Sequence, residues 1–207
     1  MKKYTGSLYT LLWVALIVLN SCGGTNLSYI WKDPHYGGGY FTSVMVVGVS
    51  KNLTHRRMFE DEFVREFARR GVKAVSSESI LAPGAPLNRD TVKAAADSLP
   101  VDVVLAARLL TAGEEDVYQP PSTSSTPGSS ARAFDVYFYA TGGYSPSPGR
   151  VSKHYMVRLE TNLFDVGSEK LVWTAASTTM DPESVHEVIN TLCASVMKSL
   201  QKERLIR

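Results

Sequence analysis

The sequence predicts an α/β fold, a two- or three-layer sandwich in which helices pack on a mixed β-sheet. Short valine-rich runs alternate with amphipathic segments as far as Leu110, which is the βαβαβ order of a parallel sheet with right-handed crossovers. Two runs of alternating apolar residues around a short glycine-containing connection then predict an antiparallel hairpin. A long apolar stripe of helical period predicts a C-terminal helix.

Continuous apolar runs of strand length mark the three parallel strands, at residues 43–50, 72–76 and 102–110. Such runs are typical of buried strands. Residues 111–152 are polar and rich in Ser, Thr, Pro and Gly around a short aromatic run, so we expect a long flexible insertion there. Strict alternation predicts the two hairpin strands at residues 154–164 and 170–180.

Three helices are expected between and after these strands. The first spans residues 52–70 and ends at Gly71, a residue that favours helix ends. Its apolar face is built by phenylalanines four positions apart: Phe59, Phe63 and Phe67. The second spans residues 89–99 after Asn88, a favourable N-cap. The third begins at residue 181 or 182 and ends near residue 204.

The N-terminal segment predicts export and lipid attachment. Its apolar run at residues 11–19 is long enough for a signal-peptide core and too short for the roughly 20 residues that span a bilayer. The sequence Leu19-Asn20-Ser21-Cys22 resembles the bacterial lipobox. That resemblance implies that residues 1–21 are a lipoprotein signal peptide and that acyl chains such as palmitate on Cys22 anchor the protein. The alternatives are an ordinary secretory signal and a retained membrane anchor.

The expected organisation after the signal is a tether followed by one domain. Residues 22–42 combine flexible glycines with many aromatic residues, so we expect part of this tether to lie on the domain as an extended segment. Residues 43–207 form a single α/β domain that contains the insertion. Gly23 stands directly after Cys22, where an aspartate would resemble an inner-membrane retention signal. The glycine therefore favours a location on the periplasmic face of the outer membrane.

Composition and motifs exclude several function classes. Lys2 and Lys3 account for the formal net charge of +2, so the chain after the signal is formally neutral and does not resemble a nucleic-acid-binding protein. The strand–helix junction at residues 48–52 has no glycine-rich phosphate loop, so we expect no nucleotide. With Cys22 acylated, Cys193 has no intramolecular partner, and its place on an apolar stripe predicts a buried, inert thiol.

No residue set specifies a reaction. His186-Glu187 begins like a zinc-protease motif, but Asn190 stands where the second histidine would be, so we predict no metal. Ser195 and Lys198 match S-x-x-K without the companion motifs of penicillin-binding enzymes. The sequence therefore predicts no catalytic residue, no metal and no cofactor.

Two segments are candidate partner-binding sites. Arg56 and Arg57 begin the first helix near the carboxyl edge of the sheet, where open α/β sheets place their sites, and basic residues there oppose the helix dipole. The alternative is a solvated helix face with pairs to Glu60 and Asp61. The second candidate is the aromatic segment 134–155, represented by three tyrosines: Tyr137, Tyr139 and Tyr144. Its alternative is packing over the sheet.

The elements also resemble a known group of proteins. The resemblance rests on these segments: Val44–Ser50, Arg56-Arg57 with Glu60-Asp61, Gly71, Asp102–Leu105 and Leu171–Ala175. They resemble small bacterial envelope lipoproteins of unknown function, similar in architecture to the N-terminal domain of TolB and the periplasmic domain of CsgG, over most of residues 43–203. The resemblance implies a non-enzymatic binding or assembly module that contacts another envelope protein.

Two other functions are alternatives. In a secretion or pore subunit that resembles CsgG, residues 134–140 and 151–158 would insert as membrane strands after oligomerisation, although the first segment supplies only four apolar positions on one side. In a cell-envelope hydrolase, the active site would lie in the insertion at residues 111–152.

Overall fold

The computed structural model describes residues 24–82, 85–119, 122–124, 145–147 and 149–207. Cys22, Tyr137, Tyr139 and Tyr144 lie outside the described residues. The strands are β1 (Asn26–Lys32), β2 (Ser43–Val49), β3 (Lys73–Ser76), β4 (Val103–Gln119), β5 (Ser122–Ser124), β6 (Ser145–Ser147), β7 (Arg150–Asp165) and β8 (Leu171–Met180). The helices are α1 (Leu53–Arg69), α2 (Arg89–Asp97) and α3 (Val185–Lys202), with a 3-10 turn at Ser77–Ser79.

The predicted α/β class and the mixed sheet are confirmed. Six strands lie in the order β1-β8-β7-β4-β2-β3. Strand β2 pairs parallel with β3 and β4, whereas β4 with β7, β7 with β8 and β8 with β1 are antiparallel. The sheet thus combines a parallel half, built by βαβ units, with an antiparallel half that contains the predicted hairpin.

The helices lie on both faces of the sheet. The main core joins α1 and α3 to one face, which includes Val44, Val46 and Leu105. The alternate residues of the same strands, such as Met45 and Val104, pack against α2 on the other face. This second face is covered by a single nine-residue helix, so the packing there is less extensive.

Sequence signals fix the helix ends. The Asn52 side chain accepts a hydrogen bond from the His55 N–H at 3.1 Å and begins α1, and Gly71 after it has a φ of +74°. Helix α3 begins at Val185, after the N-cap Ser184, so the predicted start at residue 181 or 182 is wrong by three or four residues. Asp181 has a φ of +47° and belongs to the preceding turn.

The predicted loop over residues 111–152 is wrong at both ends. Strand β4 continues to Gln119 and pairs with β7, which begins at Arg150. Residues 111–119 and 150–158 therefore form an extension of the sheet, called the ribbon below, which pairs with β8 at Met156–Arg158 and is two-stranded beyond that. Its side chains are mostly polar and give no alternating pattern, but the backbone ladder needs none. Strand β5, which follows β4, pairs antiparallel with β6, which precedes β7.

The segment predicted as a tether contains an edge strand. Strand β1 pairs with β8 from Asn26 opposite Thr178 to Lys32 opposite Trp173, which agrees with the expectation that part of this segment lies on the domain. The register shifts between Ser28 and Trp31. This bulge places Tyr29 and Ile30 outside the regular ladder.

Candidate functional site

The candidate site lies at the carboxyl edge of the parallel strands. Strand β2 ends there at Val49, and Gly48 is opposite Ala107 of β4. Helices α1 and α3 both begin at this edge, α1 after the Asn52 cap and α3 after the Ser184 cap. Open α/β sheets bind their ligands at this edge.

A close approach of β2 and α1 creates a buried polar cluster. At Gly48 an added Cβ would lie 3.2 Å from the Phe59 ring and 3.3 Å from the Arg56 backbone, so a side chain here would push α1 back by a few tenths of an ångström. Glu60 is fully buried. Its Oε1 accepts hydrogen bonds from the Gly48 N–H at 2.9 Å, Arg56 Nε at 2.9 Å and Ser77 Oγ at 2.7 Å.

Arg56 and Glu60 form a buried ion pair with further hydrogen bonds. Arg56 is 7% exposed, and its Nη2 donates to Ser77 Oγ at 2.7 Å. The second carboxylate oxygen of Glu60 accepts from the Glu78 N–H at 2.9 Å. The pairing of Arg56 with Glu60 follows the predicted spacing, but the expectation that this pair is solvated is wrong. The pair joins α1, β2 and the 3-10 turn.

Arg57 points away from this cluster and is mostly exposed. Its Nε donates to Glu78 Oε2 at 3.1 Å, so the expected pair with Asp61 is wrong. The hydrogen bond that Arg57 donates to Glu78 and the negative charge of that carboxylate raise the pKa of the Arg57 guanidinium, and the same bond lowers the pKa of Glu78. Partner binding by Arg56 and Arg57 stays a prediction, with Arg57 the accessible member.

An apolar cleft of about 360 Å³ opens next to the cluster. Its floor is formed by Phe59 of α1, Ala107 of β4 and Val188 of α3, and Arg56 contributes the charged part of the lining. The rim consists of apolar side chains that are each between two-fifths and three-fifths exposed: Val49, Leu109, Tyr155 and Val185. We call these four residues the carboxyl-edge rim. Tyr155 closes the aromatic segment 134–155 that the sequence marks as a candidate, whereas the sequence gives no sign that Val49, Leu109 and Val185 share an exposed rim with it.

A chain of hydrogen bonds joins Ser152, His154 and Asp181. Ser152 Oγ is 2.8 Å from His154 Nε2, and His154 Nδ1 is 2.5 Å from Asp181 Oδ2. The bond from His154 and a second one from the Tyr155 N–H hold the pKa of Asp181 below its usual value. This order of groups is the one that serine hydrolases use.

The position of this chain argues against hydrolysis at the cleft. Side chains of β7 alternate between the two faces, and the cleft is lined by Tyr155, Val157 and Leu159. Ser152 and His154 therefore face the other way. The Asp181 N–H also donates to the Tyr155 carbonyl oxygen at 2.8 Å. These contacts fasten the base of the ribbon to the turn before α3, which is a structural role.

A second cleft, of about 390 Å³, lies beside α2 on the other face of the sheet. Its floor is apolar, with Val104, Ala106 and Phe164 among the lining residues. Lys93 of α2 lies 2.9 Å from Asp97 and 3.1 Å from Glu169. These charged groups at its edge are thus paired with one another.

The remaining chemistry-bearing residues are isolated. Burial raises the pKa of the Cys193 thiol to about 12, which agrees with the predicted inert role. Within the described ranges, no three His, Cys, Asp or Glu side chains are grouped as a metal site requires. In the same ranges, no helix combines the length and apolar character of a membrane span.

No protein-family model matches the chain, and no curated protein matches its sequence. Its fold has similar solved structures. The PelC dodecamer from Paraburkholderia phytofirmans is 14% identical, with 86% of this chain and 97% of that chain covered and a TM-score of 0.47. Lipoprotein GNA1162 from Neisseria meningitidis is 14% identical, with 78% and 99% covered and a TM-score of 0.42.

A PDZ domain protein from Parabacteroides distasonis is also similar, at 7% identity, with 94% of this chain and 39% of that chain covered and a TM-score of 0.40. Likeness of this degree carries no argument about function. The resemblance to TolB and CsgG stays a prediction, and the function has to be derived from the residues of this chain.

Proposed function

We propose that the chain is a lipid-anchored protein of the bacterial envelope that binds another envelope protein through its carboxyl-edge rim and catalyses no reaction. The observation that carries the proposal is the rim itself, in which four apolar side chains around an open cleft are exposed to water. Contiguous apolar surface on a protein is a mark of an interaction site.

The anchor part of the proposal is supported by the sequence around Cys22 and by its distance from the domain. Thr25 is buried, and it is the third residue after Cys22. An extended chain covers at most about 3.6 Å per residue, or roughly 11 Å here. Acyl chains on Cys22 would therefore hold the domain close to the bilayer, on the periplasmic face of the outer membrane.

Thr25, the third residue after Cys22, lies at the same edge of the sheet as the rim. Thr25 contacts Thr179, at the carboxyl end of β8, and β8 ends at the edge where β2 also ends. A partner at the rim would therefore be a protein that is itself close to the membrane. The apolar lining of the cleft suits an apolar side chain of the partner.

The alternatives receive less support. Along the described ribbon, charged side chains occur at adjacent positions, such as Glu115 with Asp116, and therefore on both faces. This pattern does not suit membrane strands of a pore subunit, which need one continuous apolar side. The hydrogen-bonded Ser152, His154 and Asp181 lie on the face opposite the cleft, so they do not favour a hydrolase.

The anchor is tested by metabolic labelling with a palmitate analogue. We expect the natural protein to be labelled and a Cys22→Ser variant to be unlabelled, because the acylated thiol is absent. The Cys193→Ser variant is the matched control and should be labelled like the natural protein. Equal labelling of the Cys22→Ser variant would show that the anchor is elsewhere.

The binding role is tested by placing a photo-crosslinking amino acid at Leu109 in the native envelope. We expect a defined crosslinked partner that disappears when Val185 on the opposite side of the cleft is changed to Asp. The control carries the same amino acid at Tyr40, which is as exposed as the rim residues but lies before the amino end of β2. Capture of the same proteins from both positions would contradict a specific rim.

A further inference from the structure

The first strand of the domain carries an exposed aromatic bulge. Tyr29, Ile30 and Trp31 lie where the register between β1 and β8 shifts, and they are 88%, 45% and 45% exposed. Strand β1 is at the edge of the sheet. Three consecutive large side chains are rarely exposed to water on an edge strand. Such exposure indicates a surface that binds a partner.

We infer that this bulge inserts into the interfacial layer of the bilayer that holds the lipid anchor. Tyrosine and tryptophan are the residues that prefer the headgroup level of a membrane, because their rings are apolar and their polar groups stay hydrated. The inference rests on the proposed acylation of Cys22. It adds to it an orientation, in which the β1 edge of the sheet lies against the membrane.

The short chain between Cys22 and the bulge limits the choice of surface. Thr25 is fixed to the domain: its hydroxyl is 2.7 Å from that of Thr179 and 2.6 Å from that of Thr191, and its carbonyl oxygen accepts from Ser195 Oγ at 2.9 Å. Tyr29 follows Thr25 by four residues along a strand, roughly 13 Å. The bulge is therefore close enough to the acyl chains on Cys22 to reach the lipid headgroups.

Charge on the neighbouring helix fits the same surface. Helix α3 lies beside β1, as the bonds from Ser195 to Thr25 and from Lys32 Nζ to the Glu203 carbonyl oxygen show. Lys198 and Lys202 continue the helical stripe that begins at Ser195, and both are exposed. Lysines close to aromatic residues attract anionic headgroups. Glu187 lies on the same stripe at its other end.

The bulge also argues against a second protein strand as the occupant. An incoming strand needs a regular row of free N–H and C=O groups along the edge, and a bulge interrupts that row. Tyr29 adopts a φ of +49°, which turns its side chain out of the ladder. The edge therefore exposes side chains in place of a regular row of free backbone groups. Exposed side chains are what contact with lipid requires.

The test uses tryptophan fluorescence of the acylated full chain in vesicles of phosphatidylethanolamine and phosphatidylglycerol. Trp31 and the fully buried Trp173 are the two tryptophans after the signal. Part of the lipid carries bromine on the acyl chains near the headgroup. We expect bromine to lower the Trp31 emission by about half or more, because interfacial tryptophan rings lie at that depth. Iodide in the water should quench it weakly.

Two matched variants assign the signal. Trp31→Phe leaves Trp173 alone, and its emission should respond neither to bromine nor to iodide, because Trp173 is buried in the folded domain. Trp31→Phe with Ile80→Trp places an exposed tryptophan after β3, at the opposite edge of the sheet. This tryptophan should respond to iodide and not to bromine.

The mass of the protein recovered from the vesicles separates the two proposals. If the protein is acylated and bromine does not quench the Trp31 emission, the proposed orientation is wrong and the anchor is unaffected. This holds whether Trp31 is then quenched by iodide or is covered by another protein. Protein that carries no acyl chain on Cys22 overturns the proposed anchor and this inference with it.

Discussion

At the scale of single residues, the pair Arg56–Glu60 shows how much of a site a sequence contains. The spacing of four on a helix predicts that these side chains meet. Their burial depends on Gly48 and Ser77, which lie on other elements and reach the pair only in the folded chain. Spacing therefore predicts the contact, whereas its environment and structural role depend on tertiary packing.

The buried pair gives a prediction for stability. Arg56→Met is expected to lower the free energy of unfolding by about 3–5 kcal/mol, because it leaves the buried Glu60 carboxylate without its cation. The double variant Arg56→Met/Glu60→Leu should lose less, because it leaves no unpaired charge. Urea unfolding of the Cys22→Ser protein and its variants measures both. A double variant as unstable as the sum of the single variants would contradict the coupling.

Asp102 gives a prediction for acid stability. Partial burial alone would raise the pKa of its carboxyl, but hydrogen bonds from Thr42 and from the Ser43 N–H lower it below 3.8. The folded form therefore binds its proton less tightly than the unfolded form. This contribution is present above the unfolded pKa and is lost as the pH falls through the folded one.

The Asp102→Asn variant is expected to be less stable at neutral pH by about 1 kcal/mol, a figure reduced for the exposure of the group. Its unfolding free energy should also change less than that of the parent between about pH 5 and pH 2. Urea unfolding across that range checks both. Parallel pH profiles for parent and variant would show that another carboxyl group is responsible.

At the scale of elements, the strands and helices that the sequence predicts are those with a periodic pattern of apolar residues. The valine-rich strands, the phenylalanine face of α1 and the alternating hairpin all bury one face, and burial leaves a period in the sequence. The ribbon and β1 bury little. They are held by backbone hydrogen bonds, which any sequence without proline forms, so no period marks them.

The ribbon gives a prediction for local dynamics. The hydrogen bonds and charge of Arg158 lower the pKa of Glu115, and the two side chains pair across the strands. Glu115→Gln should therefore speed amide exchange at residues 113–117 and 152–158 and leave the core strands unchanged. The control is Glu114→Gln, because Glu114 has no ion pair with a described residue. Equal effects of both changes would contradict a specific role for the Glu115 pair.

At the scale of the whole molecule, the sheet has two proposed contact surfaces. Its carboxyl edge bears the cleft and the apolar rim, and its β1 flank bears the aromatic bulge and the nearby lysines. The bulge begins seven positions after the proposed lipid attachment at Cys22, and β1 begins at the edge of the sheet that bears the rim. If the β1 flank lies against the membrane, the rim faces sideways, parallel to the membrane surface. It would then face a neighbouring protein in the same leaflet.

The hydroxyl contacts of Thr25 also have a consequence for biogenesis. They join the start of the domain to Thr179 and Thr191, separated from it by 154 and 166 positions. In the proposed lipoprotein, export would deliver the amino terminus first, so β1 would reach the periplasm long before the strand and helix that accept it. Acyl chains would then be attached to Cys22 while β1 is still unpaired, and the later pairing of β1 with β8 would bring the folded domain to the membrane.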